Sequence, residues 1–304
     1  MPSLMPQTVV VDSALTGPTP TPLAKRRTLP YLLLLPGMTW LLIFFLVPLV
    51  TLLTTSLQVP LGSTPSAGYT AGFRFANYTD AFSKYSPEFF RSFVYSGIAT
   101  ALALVIAFPL AYFIAFRAGR WRNILLVLVV APFFCSFLIR TYAWKTIFAD
   151  DGVIVSVMNN LHLLPQDRIL ATPIAVVTGL TYNFLPFMIL PLYASLERID
   201  PRLIEAGADL YAAPFTAFRK ITVPLAMPGI VAGTLLTFIP ATGDFINAEL
   251  LGSGKSTLMI GNVIEKLFGR GDYPTTAALS FSLMAVIVVI VFVYIRKAGT
   301  EDLV

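Results

Sequence analysis

Along the 304 residues, apolar positions gather into long runs while polar and charged ones fall into short clusters between them. The six longest stretches free of Asp, Glu, Lys and Arg are Thr28–Phe73, Ser92–Phe116, Asn123–Ile139, Ile169–Leu196, Ile221–Gly243 and Tyr273–Ile295. Each supplies the roughly 20 apolar residues that a helix needs to cross about 30 Å of hydrocarbon, the third with help from residues beyond Arg140. Lipid offers no partner to backbone polar groups, so every crossing segment must be helical. The pattern predicts helices near 30–56, 90–116, 123–148, 171–195, 225–249 and 274–296. Prolines inside them (Pro36, Pro48, Pro109, Pro132, Pro186, Pro191, Pro240) predict local kinks, satisfied by neighbouring helices packed around a pathway.

Composition agrees: 56% hydrophobic and 12% charged residues, with a mean hydropathy of +0.77, exclude an ordinary soluble domain. The expected class is an all-α integral membrane protein of six transmembrane helices. Its predicted organisation is a flexible tail (1–28), a first transmembrane helix (29–57), a loop (58–89), a five-helix core (90–297) and a short tail (298–304). The single cysteine, Cys135, excludes an intrachain disulfide and any cysteine-based metal site. His162 stands alone in a loop, with no companion ligands.

The net charge of +5 is a matter of topology rather than of nucleic acid, because the basic residues do not line one face. One set of connecting segments carries Lys25, Arg26, Arg27, Arg117, Arg120, Arg122, Arg198, Arg202, Arg219, Lys220, Arg296 and Lys297. The opposite set carries only Arg74, Lys84, Arg168, Lys255, Lys266 and Arg270. The positive-inside rule therefore predicts that both termini are cytoplasmic. The run after residue 28 is too long for a signal-peptide core and is expected to stay as an anchor.

Residues 252–257 read GSGKST, which invites a phosphate-loop reading. That loop needs a glycine five positions before Gly254, and the residue there is Glu249, whose carboxylate would repel phosphate. An apolar span precedes it instead of a strand, and the loop is predicted to face outward. A Gly/Ser turn that ends the fifth span fits better.

The most informative connection is residues 195–230. Asp200-Pro201 is a helix start: an N-cap acceptor followed by a residue whose missing N–H costs nothing in a first turn. Leu203, Ala206, Leu210 and Ala213 form an apolar stripe at helical spacing, and Arg202, Glu205 and Asp209 a charged one. Pro214 opens a second short helix with Phe215, Phe218 and Ile221 on one side. A short amphipathic helix of this kind lies on lipid or docks into a partner, and its acidic residues favour the partner.

This segment resembles the EAA loop of ABC-type importer permeases, E-A-A-x3-G-x9-I-x-L-P, through Glu205, Ala206, Ile221 and Pro224 at matching spacing. Gly207 replaces the third residue's alanine, Val223 replaces leucine, and Tyr211 replaces the hinge glycine. The last change predicts that the positive-φ turn is lost at Tyr211 and that Ala212-Ala213-Pro214 makes the bend. The stretches FRFANYTDAF, APFFCSFLIRTYAWKTI and TGDFINAELLGSGKSTLMIGNVI are similar to the spermidine/putrescine branch. The resemblance implies a type I importer transmembrane domain with no catalytic residue and no cofactor. Its implied partners are a cytoplasmic ATPase dimer, a second permease, an extracytoplasmic substrate-binding protein and the lipid bilayer. Coupling to the ATPase would fall to Arg202, Glu205, Ala206, Gly207, Asp209, Leu210, Tyr211, Phe215, Ile221 and Pro224, in a loop bounded by 197–224. A small cation such as a polyamine is the implied solute, with another small solute such as an amino-acid-like compound as the alternative.

Ionisable groups within spans are functional candidates. Asp244 and Glu249, late in the fifth span, suit a cationic solute, and Tyr182 and Asn183 in the fourth are candidates to line the same cavity. Arg140 or Lys145 is a rival partner for either carboxylate, Arg140 being otherwise a snorkelling charge and Trp144 an interfacial ring. Gly229 and Gly233 form a G-x-x-x-G expected to pack within the subunit. A self-contained secondary carrier would require mid-span charges and leave the amphipathic loop without a purpose. A membrane ATPase would rest on GSGKST alone. The purified chain is accordingly predicted to show no ATP hydrolysis that Lys255→Ala removes; a Lys255-dependent phosphate release would overturn this reading.

Overall fold

The computed structural model describes residues 29–62, 65–160, 168–252, 254 and 256–297. The two predicted tails, His162 and Lys255 lie outside the described residues. The chain divides into two compact units, Met1–Val50 and Thr51–Val304.

The first unit holds α1 (Leu29–Leu41), a π-helical turn (Leu42–Leu46) and the start of α2 (Val47–Ser56). The π turn contains Phe44, the residue whose carbonyl the ring of Pro48 would strike in a regular helix, so the ladder widens there. Leu34–Ser56 is long and apolar enough to cross a membrane, and its most apolar stretch has no buried residue.

In the second unit a two-stranded ribbon, β1 (Val59–Pro60) and β2 (Tyr69–Thr70), pairs antiparallel with Val59 opposite Thr70. Helix α3 (Ala76–Phe116) follows, and at about 1.5 Å per residue it is far longer than the hydrocarbon it must cross. It begins fourteen residues before the predicted start, because Asp80, Lys84, Glu88 and Arg91 interrupt the charge-free pattern without breaking the helix. The extension is amphipathic: Ala81 and Phe89 pack with Ile260, Val263, Leu267, Leu279 and Leu283. Its start is fastened by Asn77, whose Nδ2 donates to the carbonyls of Ser56 and Gln58, each at 2.9 Å.

The predicted third span is broken. Helix α4 (Arg122–Val130) runs into a 3-10 turn at Ala131–Phe134, Cys135 and Ser136 are extended, and α5 (Phe137–Ile147) leaves at 93°. Pro132 is the local cause, since it cannot donate to the ladder. After α6 (Val153–Asn160), α7 (Pro173–Glu197) starts two residues beyond the predicted position, with a proline first and the Thr172 hydroxyl accepting from Ala175 N. The loop then carries α8 (Pro201–Asp209), α9 (Pro214–Ala217), a second π turn (Phe218–Thr222) and α10 (Val223–Leu225). Helix α11 (Met227–Thr242) ends seven residues before the predicted limit of the fifth span; α12 (Ile246–Leu251), α13 (Ile260–Gly269) and α14 (Tyr273–Lys297) follow. Four helices among the described residues are long and apolar enough to span, or six if each of two bent pairs counts once.

Helix α7 is the centre of the second unit. Ala103, Ala107 and Ala111, spaced by four on α3, are fully buried in one cluster with Met188, Ile189, Leu192 and Leu196 of α7. From another side Gly229 and Gly233 bring α11 against it: a Cβ on Gly229 would lie 2.6 Å from the Pro191 carbonyl, and one on Gly233 2.8 Å from Met188 Sδ. The G-x-x-x-G thus packs within the subunit. Gly229→Ala should cost about 1–3 kcal/mol by overpacking, because backbone cannot move aside as a flexible side chain can. Gly97→Ala in α3, where a Cβ meets nothing within 4 Å, should be neutral or slightly stabilising. Thermal unfolding of the detergent-solubilised variants checks both, and equal melting points would refute the contrast.

Candidate functional site

Two regions gather the predicted site residues. The first is the loop after α7. The Asp200 carboxylate caps α8 by accepting from Arg202 N at 3.0 Å. Gly207 is the buried position of α8, and a Cβ there would stand 2.7 Å from Ile221 Cδ1. Glycine in place of the pattern's alanine therefore seats α8 on Ile221. Arg202, Glu205, Ala206, Asp209 and Pro224 are exposed.

The end of α8 corrects the expectation for Tyr211, whose φ is +57°. Tyr211 N donates to the Ala208 carbonyl at 2.9 Å and Ala212 N to the Gly207 carbonyl at 3.1 Å. These two bonds are the Schellman pair, which needs a left-handed residue immediately after the C-cap. The turn stays at Tyr211 because the orphan carbonyls of α8 demand it, and the ring is carried out into solvent. Leu210 is 82% exposed, Tyr211 97% and Phe215 73%. Phe215 and Phe218 do not share one role: the Phe218 ring turns inward, meeting Phe108 at 5.4 Å and Tyr112 at 6.2 Å between centroids, so the loop is seated on α3. A further anchor that the pattern did not reveal is the ion pair of Arg122 with Glu197, beside a stacking of Arg122 over Tyr193 at 5.1 Å.

The second region lies where the third and fifth spans break. Asn183 Nδ2 on α7 donates to Thr141 Oγ1 of α5 at 3.2 Å and to Asn247 Oδ1 of α12 at 3.0 Å. Asn247 in turn donates to Asp244 Oδ1 from its backbone N at 2.8 Å and its Nδ2 at 3.2 Å. All four residues are buried, so α5, α7 and α12 meet through one polar chain. Gly179 admits α12 to this contact, since a Cβ there would lie 2.7 Å from Asn247 Oδ1.

Asn183 and Asp244 are therefore brought together, through Asn247, which sequence reasoning missed. Tyr182 and Glu249 stand apart. Tyr182 lines an apolar cavity of about 300 Å³ with Pro132, Leu185 and Pro186 and meets Trp144 edge to face at 5.2 Å. Glu249 forms a half-exposed ion pair with Lys266 at 3.0 Å, not with Arg140 or Lys145. Arg140 does not snorkel: it is buried, stacked over Phe133 at 5.2 Å and Phe137 at 5.5 Å, and its Nε and Nη1 have no hydrogen-bond partner among the described residues.

The stretch around GSGKST is explained by packing. A Cβ on Gly252 would strike the Ala248 carbonyl at 2.4 Å, and one on Gly261 the Gly243 carbonyl at 2.6 Å. Asn262 Nδ2 donates to the Phe245 carbonyl at 2.7 Å, and its Oδ1 accepts from Met259 N at 3.1 Å. Gly261-Asn262 thus holds α13 against the break after α11. A helix precedes the GSGKST stretch, not the buried strand a phosphate loop follows.

The family described as binding-protein-dependent transport system inner membrane component matches residues 107–298, more than half of the chain. The chain belongs to this family. A spermidine/putrescine transport system permease protein PotB from Haemophilus influenzae is 40% identical over 261 residues, covering 84% of this chain and 90% of the relative. The protein of the same description from Escherichia coli is 37% identical over 265 residues, covering 85% and 94%. The crystal structure of a bacterial ABC transporter involved in alginate import contains a chain with a TM-score of 0.65 at 22% identity, covering 91% of this permease and 97% of that chain. A second structure, with an alginate pentasaccharide-bound periplasmic protein, gives 0.66. The permease fold is that of a type I importer transmembrane domain.

Removing the linking amide should separate structural from peripheral contacts in this permease. Asn247→Leu strips a side-chain donor from Asp244 and the acceptor from Asn183, and should cost about 2–4 kcal/mol. Lys266→Met, which breaks only the half-exposed pair with Glu249, should change stability by less than about 1 kcal/mol. Melting curves of the two variants in one detergent check this, and a larger loss in Lys266→Met would contradict it.

Proposed function

We propose that this permease is one of two membrane subunits of an ATP-driven importer for a polyamine or a related small cation, with the loop after α7 as its coupling element. The observation that carries the reading is that loop. It presents Leu210, Tyr211 and Phe215 to solvent, flanked by exposed Arg202, Glu205 and Asp209, while Phe218 fixes its base to α3. Large apolar side chains are left bare in this way where a partner covers them.

The partner is a cytoplasmic ATPase dimer, which places the loop and both termini on the cytoplasmic side, in keeping with the excess of Lys and Arg there. ATP hydrolysis belongs to that dimer. Closure of its groove around α8 would pull on α3 through Phe218, a rigid-body transmission that needs no chemistry in this chain. A second permease completes the pathway, and a substrate-binding protein delivers solute at the opposite face. The alginate transporter bound to its periplasmic protein supports that last partner by analogy of fold.

The solute class rests on the relatives named for spermidine and putrescine and on a buried carboxylate at the span break. Asp244, held by Asn247 and linked to Asn183, is the pathway group that suits a cation. Tyr182 and Glu249 are secondary, the one in an apolar recess and the other engaged with Lys266.

Uptake of labelled spermidine by cells that carry the complete importer and no other tests the reading. Glu205→Lys or Leu210→Asp should abolish uptake while the protein remains inserted, through loss of the ATPase or of its coupling. Undiminished uptake together with normal copurification of the ATPase would remove the coupling assignment. Absence of uptake by the unaltered importer, with its ATPase bound, would remove the polyamine.

A further inference from the structure

Only two described residues other than glycine have positive φ, Ala171 and Tyr211. Such a conformation presses Cβ against the carbonyl oxygen, so the position after a Schellman C-cap is ordinarily glycine. For Tyr211 the two backbone bonds that close the turn account for the conformation but not for the side chain, because glycine would make both equally well. Nor does anything inside the chain offset the strain, since the Tyr211 ring is 97% exposed. An aromatic residue set in a glycine conformation and aimed into solvent has its compensation outside the chain.

The neighbourhood points to what lies there. Leu210 and Phe215 are also largely bare, which places three large apolar side chains within six residues of one turn. Around them stand exposed charges of both signs, Glu205 and Asp209 with Arg202, Arg219 and Lys220. An apolar centre with tyrosine at its tip and a mixed-charge rim is the anatomy of a protein interface. An anionic lipid surface would attract the basic residues and repel Glu205 and Asp209 on the same helix.

We propose that Tyr211 is a strained anchor whose ring fills an apolar pocket on the ATPase subunit, so that the binding contact offsets a backbone conformation unfavourable in the free permease. The proposal rests on the coupling-loop reading above and adds a specific residue and its energetics. It assigns to the partner an apolar or aromatic-lined pocket rimmed by both signs of charge. It also means that, at this position, the sequence best for the isolated membrane subunit differs from the one best for the complex.

The test uses the complete permease pair in lipid nanodiscs, titrated with its ATPase subunit. Tyr211→Gly and Tyr211→Asn relieve the strain and remove the ring. Both should raise the ATPase dissociation constant by about tenfold or more while the melting temperature of the permease stays level or rises. Tyr211→Phe, which keeps ring and strain, should stay within about threefold of the unaltered protein. Undiminished affinity in Tyr211→Gly would overturn the anchor. If Glu205→Lys still loses the ATPase in that case, only the anchor fails; if Glu205→Lys also binds normally, the coupling-loop reading fails with it. A Tyr211→Trp reporter should shift its emission to the blue only on addition of the ATPase. A blue shift already present in nanodiscs without ATPase would place the ring among lipid headgroups and overturn the proposal.

Discussion

The second unit depends on how closely backbones approach at α7. In lipid, apolar side chains gain nothing by leaving one apolar medium for another, so helices associate through contact and hydrogen bonding. Alanines every fourth residue on α3, and Gly229 with Gly233 on α11, let two helices reach the surface of α7. This cluster therefore joins alanines of α3 to larger side chains, Met188, Ile189 and Leu192 of α7 with Ile114 of α3. Where α7 itself lacks a side chain, at Gly179, α12 and its asparagine come in.

The polar groups are placed by the same close packing. The third span is interrupted after Pro132 and α11 ends two residues after Pro240, and each such end frees backbone groups that must find partners. Asn262 takes up the Phe245 carbonyl, Asp244 the Asn247 N–H, and Asn183 ties the two broken spans to the unbroken one. The same residues that repair the breaks place a carboxylate in the interior, so the price of interruption and the chemistry of the site are one feature. The loop after α7 follows a different logic: backbone bonds close the end of its first helix, and what it leaves bare is apolar surface.

Much of this was legible in the sequence, and the failures have physical causes. The α7 and α14 spans are uninterrupted apolar runs, and their limits fell within a few residues of expectation. The α8 start was legible because Asp200-Pro201 is a local signal that needs no tertiary knowledge. A search for charge-free runs missed the first part of α3, where the charges lie on one face of a helix that buries the other. It also carried the fifth span through Gly243, because the apolar pattern does not register the turn that Asp244 caps. Tyr211 misled for a related reason: side-chain preference opposed the left-handed turn, while the hydrogen bonds that close α8 required it. Asn183 and Asp244 could be named from polarity alone; that Asn247 joins them depended on α12 folding back on α7, which no spacing reveals.

The π turn at Phe218–Thr222 has a consequence for how the loop is aimed. A π turn holds one residue more than the α-helical turn it replaces, and each residue in a helix advances the chain by about 100°. Widening just before Pro224 therefore sets the rotational phase between α9 and α11, and with it the direction in which Phe215 and the end of α8 face relative to the bundle. Wound as regular α-helix, the same residues would carry the connection about a further 100°, more than a quarter of a revolution. The proline thus acts as a phase setting: it fixes which side of the molecule the connection presents, independently of the residues that the connection carries.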